Sequence, residues 1–105
     1  MVERTVVWTQ TALLQRREIF KHWTKRNHST VYAEKLIKLT ANRLKVIIQN
    51  PESYKEVNFP NTRISSLGHF SIVYKITNRN IVVTSFWDNR QNPANLFEIL
   101  KQKNS

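Results

Sequence analysis

Arg63, His69 and Arg90, all in the C-terminal half, are the side chains with which this chain could catalyse a reaction. Arg90 lies in the polar block Asp88-Asn89-Arg90-Gln91-Asn92, directly after an aromatic run that ends at Trp87. A guanidinium at the end of a strand offers a planar fork to phosphate or carboxylate. Its alternative employment is internal, as a partner of Asp88 or a cap on the helix that follows. Asp88 reads mainly as structural, because a carboxylate with basic neighbours orients them as readily as it reacts. Arg63 precedes this region on what reads as the neighbouring strand, so it could share one anion-binding patch with Arg90 or simply be solvated. His69 follows the single glycine, Gly68. Imidazole moves protons near neutral pH, yet a histidine in a turn is more often only polar. Tyr74 reads as packed in the sheet rather than as an acid. For binding a target, rather than reacting with it, the candidates are Arg63, Asp88, Asn89 and Arg90.

Composition narrows what these side chains can do. The chain has 105 residues and no cysteine, so disulfides, thiolate nucleophiles and thiolate zinc sites are excluded. His22, His28 and His69 show no ligand spacing among themselves, and neither a metal nor any other cofactor is expected. Seventeen Lys and Arg against seven acids give a formal charge of +10, which implies an acidic partner: nucleic acid, a ribosomal surface or an acidic protein. Ten of those bases and three of the acids fall within residues 1–50, so the excess lies on the N-terminal half. No apolar run is long enough to span a bilayer, and a soluble, cytoplasmic protein of one domain over residues 1–105 is expected, with no membrane partner.

The elements that must position the candidates follow from periodicity. Val6 to Thr9, in the run Thr5-Val6-Val7-Trp8-Thr9, reads as a first strand, with Thr9 or Thr11 capping a helix to about Arg26. Ala12, Ile19, Phe20 and Trp23 fall near one face of that helix, and Arg16, Arg17, Lys21 and Lys25 around the other. Ser29 or Thr30 caps a second helix, whose residues Ala33, Leu36, Ile37, Thr40, Leu44, Ile47 and Ile48 recur at three- and four-residue steps until Asn50-Pro51 stops them. Two helices joined so closely pack as an antiparallel hairpin. Residues 51–61 show no period, with Tyr54 and Phe59 expected to pin them. A strand from Arg63 to Leu67 then leads into a hairpin in which Phe70, Ile72, Tyr74 and Ile76 alternate with Ser71, Val73 and Lys75, followed by a second arm from Ile81 to Trp87. Asn78, Arg79 and Asn80, which tolerate positive φ, are expected to make the reversal. Asn92 and Pro93 open a last helix, residues 93–103, with Leu96, Phe97 and Leu100 as its stripe. The fold class is α+β: an N-terminal strand, an antiparallel helical hairpin on an antiparallel sheet of about four strands, and a short C-terminal helix.

In this order, Val7-Trp8-Thr9 with Ala12, Asn50-Pro51, Arg63, Ile72-Val73-Tyr74-Lys75-Ile76 and Asp88-Asn89-Arg90-Gln91-Asn92-Pro93 resemble the RelE/ParE superfamily of bacterial type II toxins, over most of the chain. The resemblance implies a protein that arrests bacterial growth and is held inactive by a cognate antitoxin. RelE-like members cut messenger RNA on the ribosome. That reaction must deprotonate a ribose 2′-hydroxyl, stabilise a pentavalent phosphate and protonate the leaving oxygen. Where such members carry basic residues, this chain has Thr62, Ile64 and Ser71, and no tyrosine or histidine follows Arg90. The departures favour the ParE-like branch, which implies binding inhibition of DNA gyrase or another topoisomerase. A ribosome-dependent endoribonuclease is the alternative, and an RNA-binding module without toxin activity is a third reading. Trp8, Trp23 and Trp87 read as core, the helix bases as a solvated face. The stripe of the last helix either folds back on the domain or meets the antitoxin.

Overall fold

The computed structural model describes residues 3–102. Strand β1 (Thr5–Trp8) leads into helices α1 (Gln10–Asn27) and α2 (Val31–Gln49), then strands β2 (Lys55–Glu56), β3 (Thr62–Leu67), β4 (Phe70–Ile76) and β5 (Asn80–Asp88), and helix α3 (Pro93–Gln102). Lys103, the last residue of the expected terminal helix, lies outside the described residues.

Local chemistry sets the helix ends. Thr9 Oγ1 accepts the Ala12 N–H at 3.1 Å and starts α1. His28, at φ 53°, ends it in the left-handed conformation, its N–H donating to the Thr24 carbonyl. At α2 the cap position is Thr30, but the side-chain bond comes from Ser29, whose Oγ accepts the Val31 N–H. Asn92 Oδ1 accepts the Ala94 N–H at the start of α3.

The sheet has five strands in the order β1-β5-β4-β3-β2, one more than expected, and it is mixed rather than antiparallel. β1 pairs parallel with β5, Thr5 opposite Asn80 and Trp8 opposite Val83. Parallel neighbours need a long connection, and here it is the helical hairpin, which carries the chain from β1 to the far edge of the sheet, followed by β2, β3 and β4, which bring it back. β2 is the extra strand, two exposed residues antiparallel to β3. Nothing in its short, charged sequence carries an alternation.

Phe70, Ile72 and Tyr74 of β4 face α1 and α2 in the larger core, with Leu36, Leu44 and Ile47 of α2. Val73 faces the other way and packs with Trp87, Leu96 and Leu100, so α3 lies on the opposite face of the sheet. Burial on both faces explains why β5 is apolar almost throughout. A bulge decides which aromatic goes where. The β4–β5 register shifts at Val73/Tyr74, leaving Thr84 as the extra residue with its hydroxyl on the Val73 carbonyl. Ile81, Val83 and Phe86 therefore share the helix-facing core, and Trp87 joins the α3 side. The β4–β5 reversal also departs from expectation. None of residues 78–80 has positive φ; instead Thr77 Oγ1 accepts the Asn80 N–H at 2.9 Å, and the two backbones close the turn with the Thr77 N–H donating to the Asn80 carbonyl.

Tyr74 is fully buried, and its hydroxyl donates to the Pro51 carbonyl at 2.6 Å, which fastens the end of α2 to the sheet. Burial pushes its phenol up to about 12, against a smaller opposing pull from Arg63 and with a small push in the same direction from Tyr54. It is a neutral donor at any physiological pH and serves as a packed strut rather than as an acid.

Candidate functional site

Arg63 and Arg90 do not share a patch. Arg63 pairs with Tyr74, which pairs with Val83; Asp88 lies roughly 15 Å further along β5, at the other end of the sheet. Antiparallel pairing reverses direction at each strand, so early residues of β3 lie far from late residues of β5. Arg63 is also committed internally. Its Nη1 donates to the carbonyls of Glu52 and Tyr54 at 2.9 and 2.7 Å, and its Nη2 meets Glu56 Oε1 at 3.0 Å. With its side chain 19% exposed, it clamps the 50–61 loop and β2 onto β3.

The other four candidates do come together, where the β3–β4 turn meets the end of β5. Asp88 takes Arg90 in a bidentate pair, Nε to Oδ1 at 2.9 Å and Nη2 to Oδ2 at 2.7 Å, and also accepts the Arg90 N–H. Asn89 is a tie between strands: Oδ1 accepts the Ser71 hydroxyl at 2.6 Å, and Nδ2 donates to the Phe70 and Gly68 carbonyls. His69 is exposed in the turn, its carbonyl taking the Asn89 N–H at 2.8 Å. Gly68 permits that turn with φ 65°. Of the four, Arg90 alone presents a half-exposed charged head.

Residues that local sequence did not point to complete the site. The Arg90 guanidinium lies 5.4 Å from the centre of the Trp23 ring, and Arg26 lies 5.1 Å from the same ring. Tyr32 packs against Trp23 at 5.1 Å and His22 meets it edge-on at 5.5 Å. The only trace in the sequence is the three-residue step from Trp23 to Arg26 on one helix face; the approach of Arg90 is purely tertiary. Trp23 and Trp8 are half-buried: both pack against the larger core as expected, and each also carries a guanidinium on its ring, Arg16 lying 4.4 Å from that of Trp8, while Trp87 is fully within the core on the other face. Arg16 thus leaves the solvated face assigned to the helix bases.

A second feature lies along β5. Beyond Val83 that strand has no partner strand on the β1 side among the described residues; the Thr9 hydroxyl reaches the Thr84 carbonyl at 3.5 Å, and Gln15 takes over from there, its Oε1 accepting the Phe86 N–H at 2.9 Å and the Ser85 hydroxyl at 3.0 Å. A groove of about 690 Å³ runs here between α1 and α3, lined by Leu14, Gln15, Phe86, Trp87, Gln91 and Ile99. Among the described residues no cluster of His, Asp or Glu could hold a metal ion, and no helix is long and apolar enough to cross a membrane.

The model of one protein family, described as the ParE toxin of the type II toxin–antitoxin system parDE, matches residues 6–93, from β1 through the polar block to the first residue of α3. The chain belongs to the ParE toxin family. A ParE-type fold is also what a solved structure shares with it: the chromosomal ParDE TA system from P. aeruginosa, at a TM-score of 0.70 and 18% identity over 82% of this chain and 96% of that one. No curated protein sequence matches. The ParE family match ends at Pro93, so it contains the whole Asp88–Asn92 block.

The Asp88–Arg90 pair is open to a direct check. The hydrogen bonds from the Arg90 side chain hold the Asp88 carboxyl below the ordinary aspartate range, more than its partial burial raises it. A depressed folded value means that the pair stabilises fully above the unfolded value, about 3.9, and that this contribution is lost as pH falls through the folded value. Carboxyl carbon NMR is expected to show Asp88 titrating below the ordinary value in this chain and moving upward in Arg90→Ala. An Asp88 midpoint that the substitution leaves in place would mean the pair does not form in solution.

Proposed function

We propose that this ParE-family chain arrests bacterial growth by binding a macromolecular target, DNA gyrase or a related topoisomerase, and that a cognate antitoxin neutralises it in the cytoplasm. The observation that carries the reading is that Arg63 lies at the other end of the sheet from His69 and Arg90, and that Arg90 is already held by Asp88. Acid–base cleavage of RNA needs a base, an acid and an anion-stabilising group around one phosphate. Here Arg63 is tied to a loop, Tyr74 is buried, and His69 and Arg90 lie at the far end of the sheet. What remains exposed is a charged end suited to docking. The groove between α1 and α3 leaves room beside the terminal helix for an antitoxin segment.

Induction of the protein alone should stop growth, and co-induction of the adjacent antitoxin gene should restore it. Pulse-labelling after induction then separates the targets: DNA synthesis should fall first, with filamentation, while protein synthesis continues through the earliest interval. Prompt translation arrest with cut messages would replace this reading by a ribosome-dependent nuclease. Normal growth with well-folded protein present would remove the toxin assignment from this chain.

A further inference from the structure

The cationic end around Trp23 adjoins a small apolar pocket, and the two share Tyr32. We infer that this end is a docking surface for an acidic protein segment bearing one large apolar side chain, an inference that takes the partner's biological role, though not the geometry, from the target-binding reading above.

Each part of the surface narrows the occupant. The pocket, about 210 Å³, is walled by Tyr32, Leu36, Leu39 and Leu67, with exposed Lys35 and His69 also lining it. That is below the ~300–1,000 Å³ of pockets for small molecules and suits a single side chain, as in the anchored centre of a protein interface. Leu39, 43% exposed, has apolar surface still to bury. Beside the pocket, through Tyr32, stand Arg26 and Arg90, both on the Trp23 ring. The ring restricts both guanidiniums, which lowers the entropy lost when they meet a carboxylate; Arg26 brings its full charge, and Arg90 is already paired with Asp88. Arg26 has no carboxylate partner among the described residues, and Arg90 keeps Nη1 free of the Asp88 bonds.

A nucleic acid fits this surface less well. Stacking a base needs an open aromatic face, yet Trp23 is already flanked by Arg26, Arg90, Tyr32 and His22. A sugar–phosphate chain also has nothing to place in a leucine-walled pocket. A second copy fits worse, since it would set one net charge of +10 against another.

The test uses the full chain and fluorescence anisotropy. The probe is a labelled peptide of Asp, Glu and Ser with one central Phe; its controls are the same peptide with Ser in place of Phe, and an oligothymidylate of equal charge. Arg26→Glu is expected to weaken the Phe peptide about tenfold or more, whereas Lys45→Glu, the same charge change near the far end of α2, is expected to weaken it only about twofold to threefold. Leu39→Asp should erase the preference for Phe over Ser. Equal losses in Arg26→Glu and Lys45→Glu would overturn the surface, as would tighter binding of the oligothymidylate or self-association on sedimentation that Leu39→Asp abolishes. Growth arrest is read separately with the unmodified protein. Arrest without the peptide contrasts removes this surface and leaves the toxin reading; the contrasts without arrest do the opposite.

Discussion

Arg90→Ala is expected to abolish growth arrest with the melting temperature almost unchanged, and Arg63→Ala to do the reverse. The two arginines have opposite surroundings despite similar positions near strand ends. Arg90 presents a half-exposed guanidinium, and if it is removed, Asp88 still accepts the backbone N–H at position 90. Little packing depends on it. Arg63 is largely covered and satisfies two loop carbonyls and Glu56. Truncating it leaves those carbonyls without their charged donor, a cost of about 2–3 kcal/mol. For a domain of this size that is a fall of at least about 8 °C in melting temperature. The checks are thermal melting and viability after induction, run on both variants at matched expression. A large melting loss in Arg90→Ala would make Arg90 a structural partner of Asp88 instead. Lost arrest in a fully stable Arg63→Ala would return Arg63 to the site.

Phe86→Ala is expected to cost about 3–5 kcal/mol, a large share of what holds a small domain together. Phe86 is 1% exposed, stacks on Phe70 at 5.8 Å and 12°, and meets Phe20 and Trp8 at 6.3 and 6.2 Å. It therefore joins β5, β4, α1 and β1 at one point. Its own N–H is held by Gln15, so the backbone there cannot easily collapse into the space left behind. Melting should fall by at least about 12 °C, and urea unfolding should move its midpoint with little change in slope. A loss under about 1.5 kcal/mol would show that the aromatic cluster is loosely packed and refills the cavity.

Much of this architecture is local and therefore legible in the chain. The stripe of α2, apart from exposed Ile37, and the alternation of β4 are set by neighbours two to four positions away, and the stop at Asn50-Pro51 and the helix start at Asn92-Pro93 by backbone chemistry at those residues. Family membership was legible for the same reason, because its motifs are short runs in a fixed order that includes the Asp88–Asn92 block. The parallel pairing of β1 was not, since Thr5 meets Asn80 only after the whole helical hairpin and three strands have intervened. Nor was the bulge at Thr84, which carries Phe86 rather than Trp87 into the larger core; a strict period of two assigns the opposite face. The candidate site divides along the same line. Arg90 and its link to Asp88 follow from adjacency, whereas the distance between Arg63 and Arg90, and the placing of Arg26 and Arg90 on one tryptophan, depend on strand direction and on how α1 lies across the sheet. Chain order specifies near neighbours through backbone geometry; contacts between distant residues are chosen only when the burial of both sheet faces fixes register and orientation together.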